Sequence, residues 1–179
     1  MFNNYRKHIV ITTLALVCWC IPSAFAATDD ATSNVTFKPL QYTEWLQQLD
    51  TYKPDIVVVD MWATWCASCL EEFPKIVDLH QKYKDAGVQF VSMNLDDNSD
   101  QPSLKNAEKF LQKMHAEFDN FWMDENLMIA FEKLNLIGIP AVIIYDRNGD
   151  ERYRLTGDDP NNQYSGKDIE KAIQELLAH

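Results

Sequence analysis

The sequence predicts an α/β domain built on a mixed central sheet with helices on both faces. Three observations lead to it. Ile56-Val57-Val58-Val59 is an unbroken β-branched run, the mark of a central strand covered on both sides. Helical and strand patterns then alternate along the chain. Near the end, two strand patterns flank an Asn148-Gly149 turn, so the last part of the sheet is antiparallel.

The N-terminus stands apart from this fold. Arg6 and Lys7 form a basic head, residues 9–21 are almost wholly apolar, and Pro22-Ser23 leads to Ala24-Phe25-Ala26. Basic head, apolar run and small-x-small site together read as a secretory signal peptide over residues 1–26. The run falls short of the ~20 apolar residues that span a bilayer. Retention as an anchor stays open, because residues 9–27 together cross a thin membrane if Pro22 is tolerated. Cys18 and Cys20 lie in this segment in a poor context for lipid attachment. Residues 27–34 are small and polar, a linker, and the folded domain is expected over 35–179.

Within the domain, Thr43 is placed to cap a short helix through 49, with Trp45, Leu46 and Leu49 on one face, and Lys53-Pro54-Asp55 breaks it. After the strand at 56–59, a long helical pattern runs from Cys66 to 84, with Ile76, Val77, Leu79 and Tyr83 on its buried side and Pro74 expected to kink it. Residues 88–95 read as a second buried strand. An acidic loop with Asp96, Asp97 and Asp100 follows, and Pro102 sits near the first turn of the next helix. That helix runs to 115 with Leu104, Ala107, Leu111 and Met114 on its apolar face. Residues 118–123 read as a short edge strand and 126–134 as a helix. The hairpin comes next, with strands at 141–145 and 151–155. Ser165 and Asp168 form a capping box for a last helix through 177.

The formal charge is −11, and removing residues 1–26 takes away Arg6 and Lys7 but no acid, leaving −13. Nucleic acid and anionic membranes select basic faces, so the balance argues against both as partners of the mature domain. Contact with a membrane depends on whether the N-terminal segment is retained.

The mature chain keeps two cysteines, Cys66 and Cys69, in an export context. A thiolate, not a thiol, attacks a disulfide, so a redox site has to stabilise negative sulfur. Cys66 follows a buried strand and opens a helix, where unpaired backbone N–H groups and the helix dipole favour an anion. Cys69 lies one turn in, within reach of Cys66 and shielded. This arrangement suits Cys66 as the attacking sulfur and Cys69 as the resolving one. Two other uses compete. Half of a zinc site needs two further ligands, and His80, His115 and His179 show no ligand spacing. A purely structural disulfide closes too short a loop to constrain the unfolded chain much.

Val59-Asp60-Met61-Trp62-Ala63-Thr64-Trp65-Cys66-Ala67-Ser68-Cys69 resembles the active-site stretch of thioredoxins, and Ile137-Gly138-Ile139-Pro140 resembles their second signature. Leu70-Glu71-Glu72-Phe73-Pro74 and an extra segment of roughly thirty residues between Leu95 and Ile137 are similar to the exported TlpA/ResA-like branch. The resemblance implies the thioredoxin fold with an N-terminal extension and a central helical insertion. It implies a thiol–disulfide oxidoreductase in the periplasm or otherwise exported, or anchored in the inner membrane and facing the periplasm. Its clients would be protein thiols and disulfides, apocytochrome c among them, and it needs no cofactor or metal. A membrane protein supplying electrons, or an oxidant relay, would recycle it.

The resemblance also implies roles at single residues. Pro140 would carry a cis peptide bond beside the cysteines, and the backbone of Ile139 would pair with an extended substrate segment; the alternative is an ordinary trans turn proline. Asp60, ending an apolar run, should be buried and protonated, and the resemblance makes it the proton acceptor for Cys69. Glu72 would line the site cavity, or else be a solvated helix-face acid. Trp65 is placed to cover the cysteine pair and shape a docking face, while Trp62 suits the core as well as the site. Three residues depart from the pattern: Ser68 in place of the proline before the second cysteine, Met93 where many thioredoxins have lysine, and Ala141 where threonine is common. They leave open the direction of exchange. A peroxiredoxin-like peroxidase, which would want threonine at Ala63, and a non-catalytic binding module are the competing functions.

Overall fold

In the computed structural model of the chain, residues 34–53, 55–157 and 163–178 are described. The expected signal segment 1–26, most of the linker, Pro54 and His179 lie outside them. The chain divides into Met1–Ala31 and Thr32–His179, and the described residues all belong to the second unit.

β2 (Ile56–Trp62) is the organising strand, and all seven of its residues are buried. It is longer than its β-branched run, because Asp60, Met61 and Trp62 continue the pairing. β3 (Val88–Asn94) runs parallel to β2 in a register that sets Asp60 beside Ser92 and Trp62 beside Asn94. On the other side β5 (Ala141–Tyr145) is antiparallel, with Asp60 opposite Val142. β6 (Glu151–Thr156) completes the hairpin, its turn made by Gly149 at φ 84°.

β4 (Asp119–Met123) pairs parallel with β3. It is not the edge strand expected for residues 118–123, because β1 (Lys38–Leu40) adds outside it, with Pro39 against Trp122. The strand order is therefore β1-β4-β3-β2-β5-β6.

Helix positions follow the sequence pattern with small shifts. α1 (Tyr42–Thr51) starts at Gln41 rather than Thr43, since Glu44 reaches back to accept the Gln41 N–H at 2.9 Å. α2 (Ala67–Tyr83) runs continuously through Pro74. α3 (Gln101–Lys113) is capped by Asp100, whose carboxylate accepts the Ser103 N–H at 3.2 Å. α4 (Leu127–Lys133) and α5 (Gly166–Leu177) follow, the latter with the Ser165–Asp168 capping box.

Successive strand side chains point to opposite faces, which splits the core in two. Val57, Val59 and Met61 pack with Val91, Met93, Ile143 and residues of α1 and α4. Ile56 and Val58 pack with Phe90, Ile144 and the inner faces of α2 and α5. A third cluster joins Trp62, both cysteines and Phe73 to Ala107 and Leu111 of α3. Phe73 is its hub, with ring centroids 5.3 Å from Trp62 and 5.1 Å from Phe110.

Phe73→Ala should therefore cost about 3–5 kcal/mol. Leu46→Ala, on the exposed side of α1, should stay within about 0.5 kcal/mol. Urea unfolding of the two variants measures the contrast, and equal losses would contradict this assignment of the core.

Candidate active site

The site begins where β2 stops. Ala63 to Cys66 forms a tight turn closed by the Cys66 N–H donating to the Ala63 carbonyl at 3.1 Å. Cys66 is thereby the N-cap residue of α2, with extended backbone (φ −94°, ψ 96°). Its sulfur accepts the Cys69 N–H at 3.3 Å. The two cysteines are disulfide-bonded, Sγ to Sγ 2.06 Å and Cα to Cα 5.3 Å, and both are buried. The Ser68 hydroxyl oxygen lies 3.7 Å from the Cys66 sulfur. On reduction, Cys66 would present its sulfur to the free N–H groups of a helix N-terminus, the environment that stabilises a thiolate.

A second element closes on the pair from the β5 side. The Ile139–Pro140 peptide bond is cis. Ile139 packs partly buried against the cluster that contains both sulfurs. Pro140 is backed by Gly157, whose N–H donates to the Pro140 carbonyl at 2.8 Å. A Cβ on Gly157 would stand 2.7 Å from Pro140 Cγ and 3.0 Å from Cδ, so only glycine fits behind the ring. Two large apolar side chains stay outside: Trp65, beside Cys66, is 57% exposed, and Ile137, before the cis bond, is 88% exposed.

Asp60 lies in the alternation that turns Ile56, Val58 and Trp62 toward the α2 side of the sheet. It is 5% exposed, and its Oδ2 has no hydrogen-bond partner. Burial, reinforced by the negative charge of Glu72, pushes its carboxyl up to about 8. Glu72 is half-buried and ion-paired with Lys75 at 2.7 Å. The Tyr164 hydroxyl is held above its ordinary range by burial and then by the Asp60 and Glu72 carboxyls.

Cys66, Cys69 and Ile139 thus share one cluster, with Trp65 exposed next to Cys66, Pro140 following Ile139, Asp60 two residues before the end of β2 and Glu72 three residues along α2 from Cys69. The sequence reading did not single out Gly157, Tyr164, or the link from Thr64 to Asp96. Thr64 donates its N–H to both Asp96 oxygens at 3.2 and 3.1 Å and its hydroxyl to Oδ1 at 2.7 Å. The sequence places Asp96 in an acidic loop, whereas the structure buries it.

Residues 54–151 match the family model described as thioredoxin-like. The chain belongs to this thioredoxin-like family. Among its curated relatives, the thiol-disulfide oxidoreductase ResA of Geobacillus kaustophilus is 26% identical over 129 residues, 72% of this chain and 67% of that protein. The thiol:disulfide interchange protein DsbE of Vibrio cholerae is 28% identical over 107 residues, 60% of this chain and 53% of that one. These matches span between about half and two thirds of the relatives' own length. A crystal structure of a Chlorobium tepidum protein designated thiol:disulfide interchange protein DsbE superposes with a TM-score of 0.59 at 29% identity, covering 72% of this chain and 84% of that chain.

The Asp60 environment makes a stability prediction for this thioredoxin-like domain. Its carboxyl rises from 3.8 in the unfolded chain to about 8 in the folded one. Across that window the folded state holds a proton that the unfolded state has lost. Stability from this group is complete below the lower value and declines by about 1.4 kcal/mol per pH unit up to the upper one. Asp60→Asn should match the parent near pH 4 and gain on it steadily toward pH 8, measured by urea unfolding at fixed pH with the disulfide intact. Parallel stability curves would refute the assignment.

Proposed function

We propose that the protein is an exported thiol–disulfide oxidoreductase that reduces disulfides in other proteins. The observation that supports this most is the cysteine pair at the N-cap of α2, packed beside a cis Ile139–Pro140 bond. The names of the relatives, thiol-disulfide oxidoreductase and thiol:disulfide interchange protein, point the same way.

In the reductive direction the Cys66 thiolate attacks one sulfur of a client disulfide. A Cys66–client disulfide forms, and the client's other sulfur leaves as a thiolate that takes a proton from water. Asp60, as carboxylate, removes the Cys69 proton, and the new thiolate attacks the Cys66 sulfur. The Cys66–Cys69 disulfide closes and the client departs as a dithiol, two electrons having passed to it. A carboxyl poised near 8 suits this step, since it ionises close to neutral pH yet holds a proton firmly enough to accept one. The Ile139 backbone receives the client's extended segment, Trp65 covers its flank, and Pro140 sets the distance between them. Glu72 tunes Asp60 by its charge.

A membrane electron-donor protein returns the pair to the dithiol state, which fits a signal segment at 1–26. Apocytochromes c, whose haem-attaching cysteines have to be reduced, are the client class that the resemblance suggests.

Cys66→Ser should abolish reduction of insulin disulfides, and Cys69→Ser should accumulate mixed disulfides that dithiothreitol releases. Wild-type turnover in either variant would end the proposal, and rapid peroxide consumption by Cys66 would replace it with a peroxidase. The steady-state redox state of the pair in cells checks direction: a reductase is found mostly as the dithiol.

A further inference from the structure

The turn that carries Trp65 and Cys66 has little to hold it. Ala63 contributes a methyl group, and Trp65 points largely into solvent. The backbone ladder between β2 and β3 runs out one step earlier, where the Leu95 N–H donates to the Trp62 carbonyl at 2.7 Å. Beyond it a side chain takes over. Asp96, 2% exposed, receives the Thr64 N–H and hydroxyl. The same carboxylate accepts Asn94 Nδ2 at 2.8 Å, while the Asp96 N–H donates back to Asn94 Oδ1 at 3.1 Å. Asn94 is itself wholly buried and in register with Trp62.

We propose that Asp96, braced by Asn94, is the positioning residue of the active-site turn and that it acts through Thr64 to set where Cys66 stands at the N-terminus of α2. A buried carboxylate is costly unless its lone pairs are filled. Here they are filled by Asn94 and by Thr64, the residue two positions before the reactive sulfur. The link joins the end of β3 to the β2–α2 turn, so the sulfur is registered against the sheet rather than against a free loop. This inference rests on reading Cys66 as the attacking thiol.

Thr64→Val keeps shape and the backbone donor but removes the hydroxyl, and Thr64→Ser restores it. Two readouts are needed on the reduced protein: the rate of Cys66 alkylation by iodoacetamide at neutral pH, and kcat for insulin reduction. Thr64→Val should lower both about tenfold, inside the hundredfold that an ångström of misplacement costs, with the thermal midpoint little changed. Thr64→Ser should return both to within about twofold of the parent. Parent rates in Thr64→Val, or no recovery in Thr64→Ser, overturn the proposal. Alkylation needs no turnover. A parent protein inactive on insulin, together with an alkylation defect rescued by serine, would sink the oxidoreductase reading and leave the positioning role standing.

Discussion

A strand buried on both faces has no place for a polar group until it ends, and β2 carries Asp60 two residues before its end. The carboxyl cannot reach solvent, and one of its oxygens has no partner, so the fold accommodates it by keeping it protonated over most of the acid range. The rest of the site is arranged around this constraint. The chain leaves the sheet immediately beyond it, turns once, and starts α2 with a sulfur at the cap. The cysteine pair thus follows, six and nine residues on, a buried carboxyl whose ionisation is pushed up to about 8.

Three carboxyl groups lie on or against the segments that carry the pair, and each is accommodated differently. Asp60 is buried with no partner on Oδ2, and its ionisation is pushed up to about 8. Glu72, half exposed, is matched to Lys75. Asp96 is supplied with donors from Thr64 and Asn94.

Much of this was legible in the sequence, for identifiable reasons. The Cys66 cap and α2 follow from a local pattern, strand run to helical period, and both were found where expected. The final capping box is equally local. β1 was missed because three residues containing a proline carry no strand periodicity; the strand exists only because β4 offers it an edge. The same addition moved β4 into the sheet. Asp96 was unreadable because its neighbours Asp97 and Asp100 make the segment look solvated, while its burial is decided by Thr64, thirty-two positions earlier. The cis bond entered through family resemblance. The reason Gly157 lies behind Pro140 is a contact between two strands' ends that no window of sequence contains.

Ser68 bears on the direction of exchange. Any group that donates to the Cys66 thiolate stabilises the dithiol form and makes the disulfide a stronger oxidant. Serine in place of proline adds a hydroxyl within reach of the Cys66 sulfur, and a backbone N–H that proline lacks. Against this, the hydroxyl oxygen stands 3.7 Å from the sulfur, long for a strong bond, and it is free to turn toward water. In the proposed cycle Asp60 works the other way, since as a buried carboxylate it disfavours a second anion nearby, and taking the Cys69 proton removes that charge. The carboxyl thereby favours the step that closes the Cys66–Cys69 disulfide and expels the client as a dithiol. A strongly placed donor at the nucleophile and an ionising acid serving the resolver would pull in opposite directions; here the donor is long and the acid is buried, which supports the reductive direction proposed above.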